Sequence, residues 1–190
     1  MLRLFHGDYA LKKIIISVST IIVVLLLGLV VSSYYLPSAW KVERTIVINT
    51  KPDKIYPLVA NFKNGWSKWS SFDYEDPEIQ YTYNAVESGL GAERSWVSKK
   101  MGDGEQKIVS VEDNALVQFE LKMARTHFLA HGEIALIAID DVSTRVTWTD
   151  WGEADNNPFN RWMAFFIDAM MGPGFEKSLS KLKEITEVTP

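Results

Sequence analysis

The chain contains no cysteine, which excludes disulfides, thiolate nucleophiles, iron–sulfur clusters and zinc sites with thiolate ligands. Imidazole chemistry has only three residues to draw on, His6, His127 and His131. There is no excess of basic charge. Twenty Lys and Arg stand against 24 Asp and Glu, a net charge of -4 that argues against a nucleic-acid partner. No glycine-rich phosphate loop and no nucleophile elbow occur, and no internal repeat or low-complexity tract is visible. What the chain does have is an uneven apolar content and seven tryptophans among its 190 residues.

The unevenness begins at the amino end. Ile14 to Val31 is a run of 18 uncharged residues, extended to 23 by Ser32 to Leu36. A helix of that length spans ~34 Å, enough for a hydrocarbon core of ~30 Å. Residues 14–36 are therefore expected to form a transmembrane helix, with 1–13 as a cytoplasmic segment. Tyr34, Tyr35 and Trp40 fall where an interfacial aromatic belt lies. Arg3, Lys12 and Lys13 precede the span, which favours a cytoplasmic amino end and an extracytoplasmic, periplasm-like domain. Lys41, Arg44, Lys51 and Lys54 follow it and weaken that bias. A cleaved secretory signal is the alternative, since Val31-Ser32-Ser33 resembles a small-residue cleavage site, although the run exceeds the usual ~7–15 apolar residues.

Residues 40–190 read as one domain. Lys41 to Asn49 is rich in β-branched residues and predicts a strand. Thr50 is placed as the N-cap of a short helix with Pro52 in its first turn. Trp66 and Trp69, three apart, suit one helical turn. Six further strands are expected at about 79–87, 92–99, 105–112, 115–123, 127–139 and 144–153, with turn residues between them. The final segment predicts a long helix capped by Asn157 and opened by Pro158, with Phe159, Trp162, Met163, Phe166, Ile167 and Met170 facing the core and Arg161, Ala164 and Asp168 opposite. Gly172-Pro173-Gly174 is expected to kink or break it. The fold class is α+β: a seven-stranded antiparallel sheet curled around one long helix.

Four stretches carry a resemblance to a known family: Pro52 to Trp69, Gly89 to Trp96, Ser143 to Trp148 and Met171 to Lys183. In that order and spacing, the region from Lys41 to Glu187 resembles the START-like (SRPBCC, Bet v 1-like) superfamily of helix-grip folds, in particular its polyketide cyclase/dehydrase branch. The resemblance implies a cavity between the concave sheet face and the carboxy-terminal helix that takes apolar small molecules or lipids. It implies less about reaction, because binders, carriers and enzymes share the fold.

Trp66, Trp69, Trp96, Phe119, Trp148, Met163, Phe166 and Met170 are the candidate ligand-binding residues; plain core packing is the competing reading for each. In the last strand Val146, Trp148 and Asp150 share one face, and the family pattern turns that face inward, leaving Trp151 outside or at an edge. His131 and Asp150 are the candidate acid/base groups, with nothing in the sequence to bring them together. His127 and His131 stand ~13 Å apart on a strand, too far to share a metal ion. Neither a metal nor a cofactor is expected. The favoured reading is membrane-anchored binding of a hydrophobic small molecule or lipid. A cyclase- or dehydratase-like enzyme and a protein-interaction module with a vestigial cavity are the alternatives.

Overall fold

The computed structural model describes residues 4–124 and 128–187. Helix α1 covers Leu4–Ser33, and within it Leu11–Ser33 is long and apolar enough to cross a membrane. After a connector of five residues strand β1 (Ala39–Ile48) begins. Helix α2 (Pro52–Val59), a single 3-10 turn (Trp66–Lys68) and the one-turn helix α3 (Ser71–Tyr74) follow. Six strands complete the sheet: β2 (Gln80–Tyr83), β3 (Glu93–Val97), β4 (Gly104–Glu112), β5 (Leu116–Met123), β6 (Phe128–Ala138) and β7 (Thr144–Glu153). Helix α4 (Pro158–Glu187) ends the fold.

All seven strands are antiparallel, in the order β1-β7-β6-β5-β4-β3-β2. β2 to β7 are successive hairpin neighbours, and only β1 pairs out of sequence, with β7. The sheet alternates as a half-buried strand must: Val42, Val117, Phe119, Ile134, Val146 and Trp148 are buried on one face, and charged partners such as Lys122 and Glu105 stand on the other. The expected second strand is shorter than its sequence pattern. The Asn84 side chain accepts from the amides of Val86 and Glu93 and so ends the pairing after Tyr83.

Two local expectations are corrected. Thr50 does not cap α2; its hydroxyl donates to the carbonyls of Asn49 and Thr186, and Lys51 takes the cap position without a side-chain bond. Asn157 does cap α4, its Oδ1 accepting from Phe159 N at 2.9 Å. Helix α4 also runs unbroken through Gly172-Pro173-Gly174. The two glycines serve close approach instead. A Cβ on Gly172 would run into the Arg44 guanidinium, and one on Gly174 into the Phe72 ring. Packing on both sides holds the helix across the proline.

Helix α4 lies along β1, with residue numbers rising in the same direction. Arg44 bonds Asp168 at 2.8 Å and Glu176 at 2.6 Å, and Lys183 reaches the Val47 carbonyl at 2.9 Å. The amino end of α4 therefore sits beside the start of β1, next to α1.

Candidate functional site

The centre of the inner sheet face is a block of rings. Trp148 on β7 stacks on Phe175 of α4 with centroids 4.0 Å apart. Trp66 lies 5.3 Å from Trp148, 5.4 Å from Phe119 and 4.9 Å from Trp69, mostly edge to face. Both loop indoles are satisfied locally, Trp66 Nε1 donating to Val59 O and Trp69 Nε1 to Leu58 O. Trp66, Trp69, Phe119 and Trp148 are thus brought together, but as rings in mutual contact, fully buried. A ligand seated among them would have to part them.

Beyond this block toward β2 lies a buried charge. Arg94 Nη1 bonds both oxygens of Asp73 at 2.9 and 3.0 Å, its Nε reaches Gln106 Oε1 at 3.0 Å, and Tyr81 donates to Asp73 at 2.9 Å. Phe62, Trp66 and Tyr81 surround the guanidinium at 4.9 to 5.2 Å. Burial raises the pKa of the Tyr81 and Tyr83 hydroxyls. Arg94, Asp73, Gln106 and Tyr81 are thus bonded to one another, and the network ties α3 to β2, β3 and β4 at that end of the sheet.

Asp150 faces inward, as strand parity requires. It is buried beside Val42 and Gly132 and accepts from Trp148 Nε1 at 2.9 Å. Burial pushes its carboxyl up to about 7, with the indole bond acting in the opposite sense. His131 stands on the other face, its ring stacked 5.9 Å from Trp151. The two acid/base candidates are therefore on opposite sides of the sheet and share no site. His127 lies outside the described residues. Among the described residues no group of three or more His, Asp or Glu stands together as a metal site would need.

The amino half of α4 overturns the expected facing. Ala164 is buried, and Asp168, expected opposite to the core, pairs with Arg44. Phe159, Phe166 and Met170, expected inside, are 68%, 49% and 57% exposed. Met163 is half-buried between the two sets. Helical spacing marks one apolar stripe and one mixed stripe, and here the sheet takes the mixed one, with Ala164, Ile167 and Met171 against the core and Asp168 beside Arg44 of β1.

Open volume occurs at the end of the sheet nearest α1. A cleft of about 660 Å³ is lined by Ala39, Trp40, Leu129, His131, Trp151 and Asn160, among others. A second, of about 580 Å³, is lined by Trp96, Gly104, Lys122, Met123 and again Leu129. Both are in the size range of small-molecule sites. Of the eight residues expected to bind ligand, only Trp96 borders either cleft. Leu129 was not singled out by sequence reasoning, and Trp40 was placed in an interfacial aromatic belt but not among the ligand-binding residues. The available signal was an apolar Leu129 on the same strand face as His131, a face otherwise wet.

The chain is similar in structure to several solved proteins. One is SA2116 of Staphylococcus aureus, a protein of unknown function, with TM-score 0.60 and 13% identity over 80% of this chain and 96% of that one. Another is MLL2253 of Mesorhizobium loti, with TM-score 0.56 and 14% identity over 79% and 98%. The Aha1 protein of Colwellia psychrerythraea, solved as a dimer, gives TM-score 0.52 and 18% identity over 78% and 96%. At these identities the likeness establishes the START-like, helix-grip fold. None of the curated proteins matches the chain. Residues 39–187 match the family described as polyketide cyclase/dehydrase and lipid transport, which is most of the chain and all of the sheet and α4. The chain belongs to that family.

Proposed function

We propose that this protein, held in a membrane by α1, binds a hydrophobic small molecule or lipid in the larger cleft, on the sheet face that carries His131 and Trp151 and beside the start of β1 and the first turn of α4. The observation that carries the reading is the position of the larger cleft. Its wall includes Ala39, six residues after the end of α1, and Asn160 in the first turn of α4. Six residues reach at most ~21 Å, so the cleft opens close to the bilayer surface. Trp151, Trp40 and Leu129 supply apolar walls, and His131, Lys41 and Asn160 supply polar atoms that orient a headgroup. Burying ~200 Å² of ligand hydrocarbon would contribute ~5 kcal/mol before the entropic cost of association.

The test uses the full chain in lipid nanodiscs, titrated with a fluorescent fatty acid and extracted for bound apolar molecules. Leu129→Glu and Trp151→Ala are expected to weaken probe binding by about tenfold each, the equivalent of ~1.4 kcal/mol. A wild-type chain that neither binds the probe nor retains any extractable apolar molecule ends the reading.

A second reading, acid–base chemistry of the cyclase or dehydratase kind, is favoured by one observation. Asp150 carries a carboxyl pushed up to about 7, buried on the inner face, across the sheet from the cleft that Gly152 helps to line. Ligand recovered chemically altered after incubation, and unaltered with Asp150→Asn, is the outcome expected from that reading.

A further inference from the structure

The outward face of the first turns of α4 is unlike the surface of a water-soluble helix. The core-facing line runs through Ala164, Ile167, Met171, Phe175, Leu179 and Leu182. At about 100° per residue, Phe159, Trp162, Phe166 and Met170 fall within about 60° of the opposite direction. Their neighbours extend the patch: Trp162 stacks on Phe166 at 5.9 Å, and Phe165 packs edge-on against Phe166 at 5.0 Å. The segment's two charges are turned away from this surface. Arg161 is spent on the carbonyls of Asp155 and Leu36 and on Asn156, and Asp168 on Arg44. An uncharged aromatic patch of this kind marks an interaction site.

What covers it is indicated by α1. Trp162 Nε1 donates to the carbonyl of Leu29 at 3.1 Å. Leu29 is four residues inside the apolar span that ends at Ser33, or ~6 Å along the helix axis. Amphipathic helices lying in a membrane interface bury their apolar face by ~5–10 Å, the same depth. The ring patch is therefore continuous with the exposed aliphatic surface of α1, at Leu25, Leu26 and Leu29.

We infer that the first four turns of α4 lie in the bilayer interface with Phe159, Phe166 and Met170 among the lipid chains, so that the domain is seated on the membrane instead of swinging from its five-residue connector. The inference rests on the reading of α1 as a membrane span. Seating α4 this way holds Asn160 and Ala39, and with them the larger cleft, at headgroup level. An apolar ligand then passes between bilayer and cleft without crossing bulk water.

The natural absence of cysteine makes a direct test possible. Single cysteines are introduced as Phe166→Cys, Met170→Cys, Leu25→Cys and Val142→Cys in the full chain. Each variant is spin-labelled, reconstituted into phosphatidylcholine vesicles, and probed by relaxation with oxygen and with a water-soluble nickel chelate. Val142 lies in the β6–β7 turn at the opposite end of β7 from Glu153, a strand length of ~33 Å. Labels at 166 and 170 are expected to behave as the label at 25 does, relaxed by oxygen with the nickel effect lost, and the label at 142 to respond to nickel. Nickel access at 166 and 170 with position 25 in lipid overturns the seating and leaves the anchor intact. Nickel access at position 25 overturns the anchor and the seating together. Positions 166 and 170 shielded from both reagents report a protein partner, a second copy included, and also overturn it.

Discussion

At the residue scale the buried carboxyl of Asp150 is the group with most consequence for stability. Its ordinary value is 3.8 and burial raises it to about 7, so the folded chain holds a proton that the unfolded chain has already released. Between about pH 4 and pH 7 the unfolded state binds fewer protons, and stability falls as pH rises through that window. Above pH 7 the loss is complete. Three units correspond to at most about 4 kcal/mol. Asp150→Asn keeps an acceptor for Trp148 Nε1 and carries no titrating proton. The variant is expected to lose this slope and to exceed the wild type in stability at pH 8. Thermal unfolding of both in detergent, from pH 5 to pH 8, checks it; parallel curves count against a buried neutral acid. The inward facing of Asp150 was legible from strand parity with Val146 and Trp148. Its separation from His131 was not, because that depends on Gly132, not His131, being the β6 residue opposite Asp150.

At the element scale α4 is two helices in function. Its second half buries Phe175, Leu179 and Leu182 against the sheet, and its first half presents rings outward. Phe175→Ala removes a ring stacked at 4.0 Å on Trp148 and is expected to cost about 3–5 kcal/mol. Phe166→Ala in detergent is expected to change stability by no more than about 0.5 kcal/mol. Chemical denaturation of the two variants side by side measures the contrast, and equal losses would mean that the outward face is core after all. Periodicity placed Ile167 correctly against the core but turned Phe159, Phe166 and Met170 inward, where the structure leaves them exposed. A row of Phe, Trp and Met satisfies a protein core and a lipid phase equally well, since both are apolar surroundings. The facing goes with the burial of Ala164, Phe175, Leu179 and Leu182 on one side of α4, and Arg44 pairs with Asp168, 124 residues away in sequence, beside that side.

At the scale of the whole molecule, exposed apolar side chains of α1 and of the outward face of α4 meet at one end of the domain, where Trp162 donates to the Leu29 carbonyl. The full chain is expected to remain with membranes after alkaline carbonate extraction. Deletion of residues 1–36 is expected to leave a chain that still associates with vesicles through α4, and reversibly, because a single interfacial helix binds far more weakly than a span. Sedimentation with vesicles before and after carbonate separates the two. A truncated chain with no vesicle affinity would falsify the contribution of α4.

Local chemistry determined a great deal of this protein. The apolar run of α1, the seven strands, the turn at Asn114 with its positive φ of 60°, the Asn157 cap and the alternation of β5 and β7 all follow from interactions within a few residues of chain. Those patterns, in their order, also carried the family. Tertiary structure decided what depends on partners far away in sequence. Close approach at Gly172 and Gly174 kept α4 whole across Pro173, and packing between distant segments gathered Trp66, Trp148 and Phe175 into one block of rings. The pairing of β1 with β7 placed Ala39 opposite Glu153, which brought the larger cleft to the end of the sheet nearest α1. A sequence shows which side chains avoid water; which apolar surroundings receive them depends on register and long-range charge pairing, and only the folded chain sets those.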